Sequence, residues 1–190
     1  RAVKYLVPKM PKDVTEYREP FNGGGSVAIA FTKEYPDIPV WVNDLYAPLV
    51  NFWQMLQTRS DGLFVLLEAY KKEYSTPDSA RELFNYCKQD LNDEEKPELC
   101  RAAAFYVVNK CSFSGLTESS SFSAQASDHN FTMRGITNLP KYSELIQNWK
   151  ITCGPYWDMM MTSAPVGTFW FFDPPYDIKD NLYGKKGELH

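Results

Sequence analysis

Short apolar runs that end in glycine, proline or an acid recur along this chain, separated by stretches in which apolar residues return every three or four positions. Residues 17–21, 40–43, 150–153 and 168–173 read as strands. Between the first two, Val27, Ile29, Ala30 and Phe31 follow a helical pattern. In residues 60–74 the positions Leu63, Leu66, Leu67 and Tyr70 share one helical face. Thr76 and Pro77 then supply an N-cap and a proline at the first helical position, opening a helix over residues 78–91. A third helix is predicted over residues 95–108, with Leu99, Ala103, Tyr106 and Val107 on one side. Residues 112–138 turn to Ser, Thr, Asn and Gly with few apolar anchors, which predicts a long loop or a short hairpin. Strands alternating with helices predict an α/β fold with a parallel, doubly wound sheet and a ligand at the strands' carboxyl ends.

Two of the predicted strands end in residues that carry chemistry. The last run, Phe169, Trp170, Phe171 and Phe172, reads as a buried strand and stops at Asp173, Pro174, Pro175 and Tyr176. Proline fixes its own backbone angle, has no N–H, and pushes the preceding residue into an extended conformation. The first proline carbonyl and the Asp173 carboxylate are thus able to converge on one small donor, with the Tyr176 ring beside them. An amine with two hydrogens fits that arrangement, and a nucleobase amine would add stacking on Tyr176. Taken alone, the tetrapeptide reads equally well as a turn with a half-buried aromatic.

The first strand runs into Glu19, Pro20, Phe21, Asn22, Gly23, Gly24, Gly25 and Ser26, and then into the helical pattern. Glycines at a strand-to-helix turn let the backbone approach a ligand, and the helix N-terminus behind them offers free N–H groups. The second strand ends in Asn43 and Asp44, where an acid is placed to accept from ribose hydroxyls. A nucleoside-containing cofactor follows. Gly23, Gly25 and Ala28 also satisfy G-x-G-x-x-A, so an NAD-type oxidoreductase competes on this segment. Hydride transfer has no evident need for a proline-locked double acceptor, whereas methyl transfer to an aromatic amine does.

Glu-Pro-Phe-x-Gly-Gly-Gly, then Asn-Asp, then Asp-Pro-Pro-Tyr resembles the Dam-like family of S-adenosylmethionine-dependent DNA adenine methyltransferases. Asn109, Lys110, Cys111, Ser112, Phe113, Ser114, Gly115 and Leu116 are similar to that family's segment between cofactor and catalytic motifs. The resemblance implies a Rossmann-like methyltransferase sheet with S-adenosyl-L-methionine as cofactor. Glu19, Pro20, Phe21, Asn22, Gly23, Gly25 and Ser26 would line the methionine part, with Glu19 near its amino group, and Asp44 would hold the ribose. Asp173, Pro174, Pro175 and Tyr176 would bind a flipped adenine. The 148 positions from Gly25 to Asp173 imply the alpha group of amino-methyltransferases, whose insert is a mostly helical target-recognition module. The expected division is 1–58 and 149–190 for the methyltransferase domain and 59–148 for the insert. A cytosine-N4 methyltransferase or an inactive DNA-binding fragment would share most of these features.

Charge restrains this picture. The chain carries a net charge of −4 over 190 residues, and residues 61–150 hold ten Lys/Arg against thirteen Asp/Glu. Attraction to double-stranded DNA therefore has to rest on local patches. Lys110 and Arg134 flank the polar stretch, Lys141 follows it, and Lys179, Lys185 and Lys186 lie beyond the proline corner. With two histidines, and four cysteines in no metal-binding spacing, no metal site is expected. His129 reads as solvated. No apolar run is long enough to span a bilayer, and a cytoplasmic microbial or viral enzyme is expected. Tyr156 and Trp157 read better as core residues than as flanks of the cofactor's adenine. The family's Gly-Gly-Lys segment is absent before the first helix and fourteen residues follow Tyr176, so truncation at both ends is expected.

Overall fold

The computed structural model describes residues 3–113 and 121–174. In chain order the elements are α1 (Val3–Leu6), a single 3-10 turn (Val7–Lys9), β1 (Glu16–Glu19), α2 (Ser26–Glu34), β2 (Val40–Asp44), α3 (Ala47–Thr58), α4 (Ser60–Glu73), α5 (Pro77–Asp90), α6 (Glu98–Cys111), α7 (Ala124–Asn130), α8 (Met133–Thr137), α9 (Leu139–Leu145), β3 (Trp149–Cys153), α10 (Tyr156–Met160) and β4 (Thr168–Trp170). The four strands form one parallel sheet in the order β3-β2-β1-β4. Parallel neighbours require crossovers. Here α2 joins β1 to β2, helices α3 to α9 join β2 to β3, and α10 joins β3 to β4. The chain builds outward from β1 on one side and returns to its other side at β4. That reversal opens a crevice between the carboxyl ends of β1 and β4.

Strand alternation sorts the residues of β1. Tyr17 is fully buried and stacks on Phe31 of α2, with ring centroids 4.5 Å apart. Arg18 points to the other face, where its guanidinium lies 4.7 Å from the Trp41 ring and 5.1 Å from the Trp170 ring. It pairs with Glu16 at 3.0 Å and donates to the carbonyls of Thr162 (3.1 Å) and Ser163 (2.9 Å). A buried cation is costly unless so partnered. Those partners tie the segment after α10 to the sheet. One buried cluster runs from Tyr17 and Phe31 through Phe52 and Trp53 of α3 to Phe105 and Tyr106 of α6.

Several expectations need correction. The final apolar run is not a buried strand: β4 ends at Trp170, residues 169–171 are only partly buried, and Phe172 is 46% exposed. Phe172 stacks on Trp170, 5.9 Å between centroids, outside the strand ladder. The polar stretch at 112–138 is hairpin-like only at its start, where Ser112 and Phe122 form an antiparallel bridge; its later part is not a loop, since it contains α7 and α8. Each starts at a hydroxyl cap, Ser123 accepting from the Ala126 N–H and Thr132 from the Gly135 N–H, both at 3.1 Å. Phe131 and Ile136, both fully buried, anchor them to the core. The third predicted helix begins at Glu98 because Pro97 disfavours helical geometry at the residue before it. Its other end continues to Cys111. The helix after Thr76 forms with a capping box between Thr76 and Ser79.

Candidate active site

The loop after β1 extends the sheet before it turns. The Asn22 N–H donates to the Asn43 carbonyl (2.9 Å), and the Gly25 N–H closes back on the Asn22 carbonyl (2.9 Å). Gly23 and Gly25 adopt positive φ, 49° and 64°, and Gly25 is the N-cap of α2. The loop lies on Trp53 of α3, whose indole N–H donates to the Gly23 carbonyl at 3.2 Å. A Cβ at Gly25 would come within 2.8 Å of the Trp53 ring. Glycine at this position thus answers both a backbone conformation and a close approach.

The tip of β2 clamps the same loop. Asp44 Oδ2 accepts from the Gly23 N–H (2.8 Å) and Oδ1 from the Tyr46 N–H (3.0 Å), leaving lone pairs for further donors. Burial raises the Asp44 pKa above its usual value, with the N–H groups of Tyr46, Gly23 and Leu45 opposing it. Asn43 Nδ2 donates to the carbonyls of Gly154 (2.7 Å) and Pro20 (3.3 Å), while Oδ1 accepts from the Thr152 hydroxyl (2.8 Å). One buried carboxamide therefore pins the ends of β1, β2 and β3 together.

Glu19, at the end of β1, is 3% exposed. Its Oε2 accepts from the Tyr17 hydroxyl at 2.6 Å, and the Ala28 N–H of α2 donates to the same carboxyl. Burial pushes the Glu19 pKa up to about 8; the two donors oppose this, and the Asp173 and Asp44 carboxylates add to it. Asn22 Oδ1 is buried with no partner among the described residues.

A cleft of about 1050 Å³ opens at the crevice between β1 and β4. It brings together Glu19, Pro20, Phe21, Asn22, Gly23, Gly25, Ser26 and Asp44 on one wall and Asp173 and Pro174 on another. Helices α6, α8 and α9 close the far side with Tyr106, Asn109, Lys110, Gly135, Asn138 and Tyr142. Lys110 is thus inside the cleft, its ammonium 5.5 Å from the Tyr106 ring, and burial lowers its pKa. Arg134 is exposed on α8 and does not line the cleft. Pro175, Tyr176, Lys179, Lys185 and Lys186 lie outside the described residues. Tyr156 and Trp157 are not core: both are 41% exposed and line the cleft, Tyr156 against Phe21 at 5.3 Å. Pro155 is the N-cap of α10 and itself lines the cleft, so that helix begins there with the two rings in its first turn. His129 is largely exposed on α7. Among the described residues there is no group of three or more His, Cys, Asp or Glu able to hold a metal, and no helix long and apolar enough to cross a membrane.

Sequence reasoning missed Trp53, Asn43's side chain and Tyr17 as shapers of this site. Trp53 reads as one more apolar position of an amphipathic helix, and nothing local marks it as the floor under a glycine loop. The spacing of Tyr17 and Glu19 carried a usable signal, since residues two apart share a strand face.

The whole sequence, residues 1–190, matches the family described as D12 class N6 adenine-specific DNA methyltransferase. It is 28% identical over 189 residues to the Type II methyltransferase M.MjaIII of Methanocaldococcus jannaschii, covering 93% of this chain and 65% of that protein. It is 27% identical over 169 residues to the DNA N-6-adenine-methyltransferase of Escherichia phage P1, covering 87% of this chain and 21% of that protein. The chain thus spans less than two thirds of either relative. With its glycine loop and Asp173–Pro174 lining one cleft, and its whole length matched by that family, the chain belongs to the D12 class of N6 adenine-specific DNA methyltransferases.

Proposed function

We propose that this protein moves a methyl group from S-adenosyl-L-methionine to the 6-amino group of adenine in double-stranded DNA. The observation that carries the reading is the single cleft shared by the glycine loop, Asp44 and the Asp173–Pro174 corner. The residues present fit the cofactor. Glu19 is a buried carboxyl near its neutral form that a cationic amino group would return to the charged state. Asn22 Oδ1 is an acceptor awaiting a donor, and Asp44 has lone pairs left for ribose hydroxyls. The space exceeds what most single small ligands need, leaving room for a base beside the cofactor.

The cofactor, when bound, supplies an electrophilic methyl group. The chain's task is to make a poor nucleophile attack. Asp173 and the Pro174 carbonyl, lining the cleft opposite the loop, accept the two amine hydrogens and stabilise the positive charge that develops on nitrogen. Pro175 and Tyr176, outside the described residues, are assigned by the sequence motif alone to stiffening this corner and to stacking on the flipped ring. Holding both reactants in one cleft supplies much of the remaining acceleration, orientation alone being worth roughly 7–11 kcal/mol. Helices α4 to α9, residues 59–148, act as the target-recognition module of an alpha-group enzyme between the two parts of the methyltransferase domain. Lys110 and Arg134, with Lys185 and Lys186, contact phosphate. Restriction-modification and action on intracellular DNA are the corresponding setting.

Incubation with tritiated cofactor and duplexes of varied sequence, followed by digestion and identification of the labelled base, tests the reading. N6-methyladenine is expected. N4-methylcytosine would transfer the mechanism to the cytosine enzyme, and DNA binding without label would leave only a binding module. Stabilisation by NAD instead of S-adenosylmethionine would restore the oxidoreductase reading.

A further inference from the structure

We infer that Tyr17 is a positioning residue for cofactor binding: its hydroxyl holds the Glu19 carboxyl at the cleft as the acceptor for the cofactor's amino group. The inference rests on the cofactor reading given under Proposed function. Tyr17 and Glu19 lie two residues apart on the same face of β1, a separation of about 6.6 Å along the strand. A tyrosine lying along the strand spans that distance, and its hydroxyl meets Glu19 Oε2 at 2.6 Å. The ring cannot swing away. It is fully buried, stacked on Phe31 at 4.5 Å and packed against Phe169 at 6.0 Å. The donor is thus fixed before any ligand arrives, the condition under which a hydrogen bond adds affinity without an ordering cost.

The charged groups around Glu19 explain why the donor matters. From α2 the Ala28 N–H supports the carboxylate, while Asp44 at the end of β2 and Asp173 beyond β4 oppose its charge. The phenol is the principal side-chain group favouring the ionised form. Removing it leaves a carboxyl that holds its proton to higher pH and attracts an ammonium group less.

Binding of S-adenosylhomocysteine and of 5′-methylthioadenosine, which lacks the amino acid part, tests this by calorimetry across pH. Tyr17→Phe is expected to weaken S-adenosylhomocysteine roughly tenfold, to move the pH midpoint of its affinity upward, and to leave 5′-methylthioadenosine unchanged. In a Glu19→Gln background the same substitution should have no further effect. Placing 4-aminophenylalanine at position 17, which restores an N–H donor on the same ring, should recover the affinity. Equal weakening of both ligands would make Tyr17 a packing residue and overturn the inference, as would unchanged affinity for S-adenosylhomocysteine. Failure of the wild type to bind either ligand would overturn the cofactor reading itself, and this inference with it.

Discussion

Glu19→Gln isolates the energetic consequence of burying an acid beside the cleft. The wild-type carboxyl is 3% exposed, and burial raises its pKa from 4.5 to about 8. Because the folded state binds this proton more tightly, the group's contribution to stability is complete below 4.5 and is lost as pH rises through about 8. At about 1.4 kcal/mol per pKa unit, that interval is worth about 5 kcal/mol, comparable to the lower end of a domain's whole stability. Tyr17 remains a donor throughout, since burial pushes its hydroxyl far above the ordinary phenol range, with the Glu19 charge and hydrogen bond adding to the effect. Glutamine accepts from the same hydroxyl and carries no proton dependence. Urea unfolding of the two ligand-free proteins from about pH 5 to about pH 9 should show the wild type losing about 1.4 kcal/mol per pH unit relative to the variant up to about pH 8. The difference should level off above pH 8. Parallel stability curves across that interval would refute the reasoning.

Other substitutions read other parts of the account. Gly25→Ala forces a left-handed backbone on alanine and drives its Cβ into Trp53, and is expected to cost about 2–4 kcal/mol and to abolish cofactor binding. Gly24→Ala, whose Cβ meets nothing within 4 Å, should leave stability near wild type in thermal melts. Thr76→Ala removes the capping box of α5 and should lower stability by about 1 kcal/mol without changing cofactor affinity. Lys110→Ala should weaken duplex binding across sequences and reduce the salt slope of log affinity by about one.

The strands, the glycine turn and the Thr76 cap were legible because each has a local cause: apolar runs bounded by breakers, positive-φ residues, and a hydroxyl three residues before its N–H. The sequence over 124–137 hides its two helices because each is short, polar in composition and held by a single buried anchor, Phe131 or Ile136. Their periodicity is too brief to stand out. The apolar run at 169–172 misleads for the opposite reason, since hydrophobicity alone does not show that β4 lies at the edge of the sheet among the described residues. Tyr156 and Trp157 line the cleft because Pro155 starts a helix at its rim, a placement that only the packed sheet defines. The facing of Asp173 and Glu19 likewise depends on β4 pairing with β1, a contact between residues about 150 positions apart.

The division of labour within the cleft is tested most directly by Asp173→Ala, with cofactor affinity and methyl transfer to duplex DNA measured on the same preparation. The account predicts that cofactor affinity stays within a few-fold of wild type while transfer falls at least about a thousandfold. Retained turnover, or a loss of cofactor affinity as large as the loss of turnover, would contradict an amine-holding corner separate from the glycine-loop site.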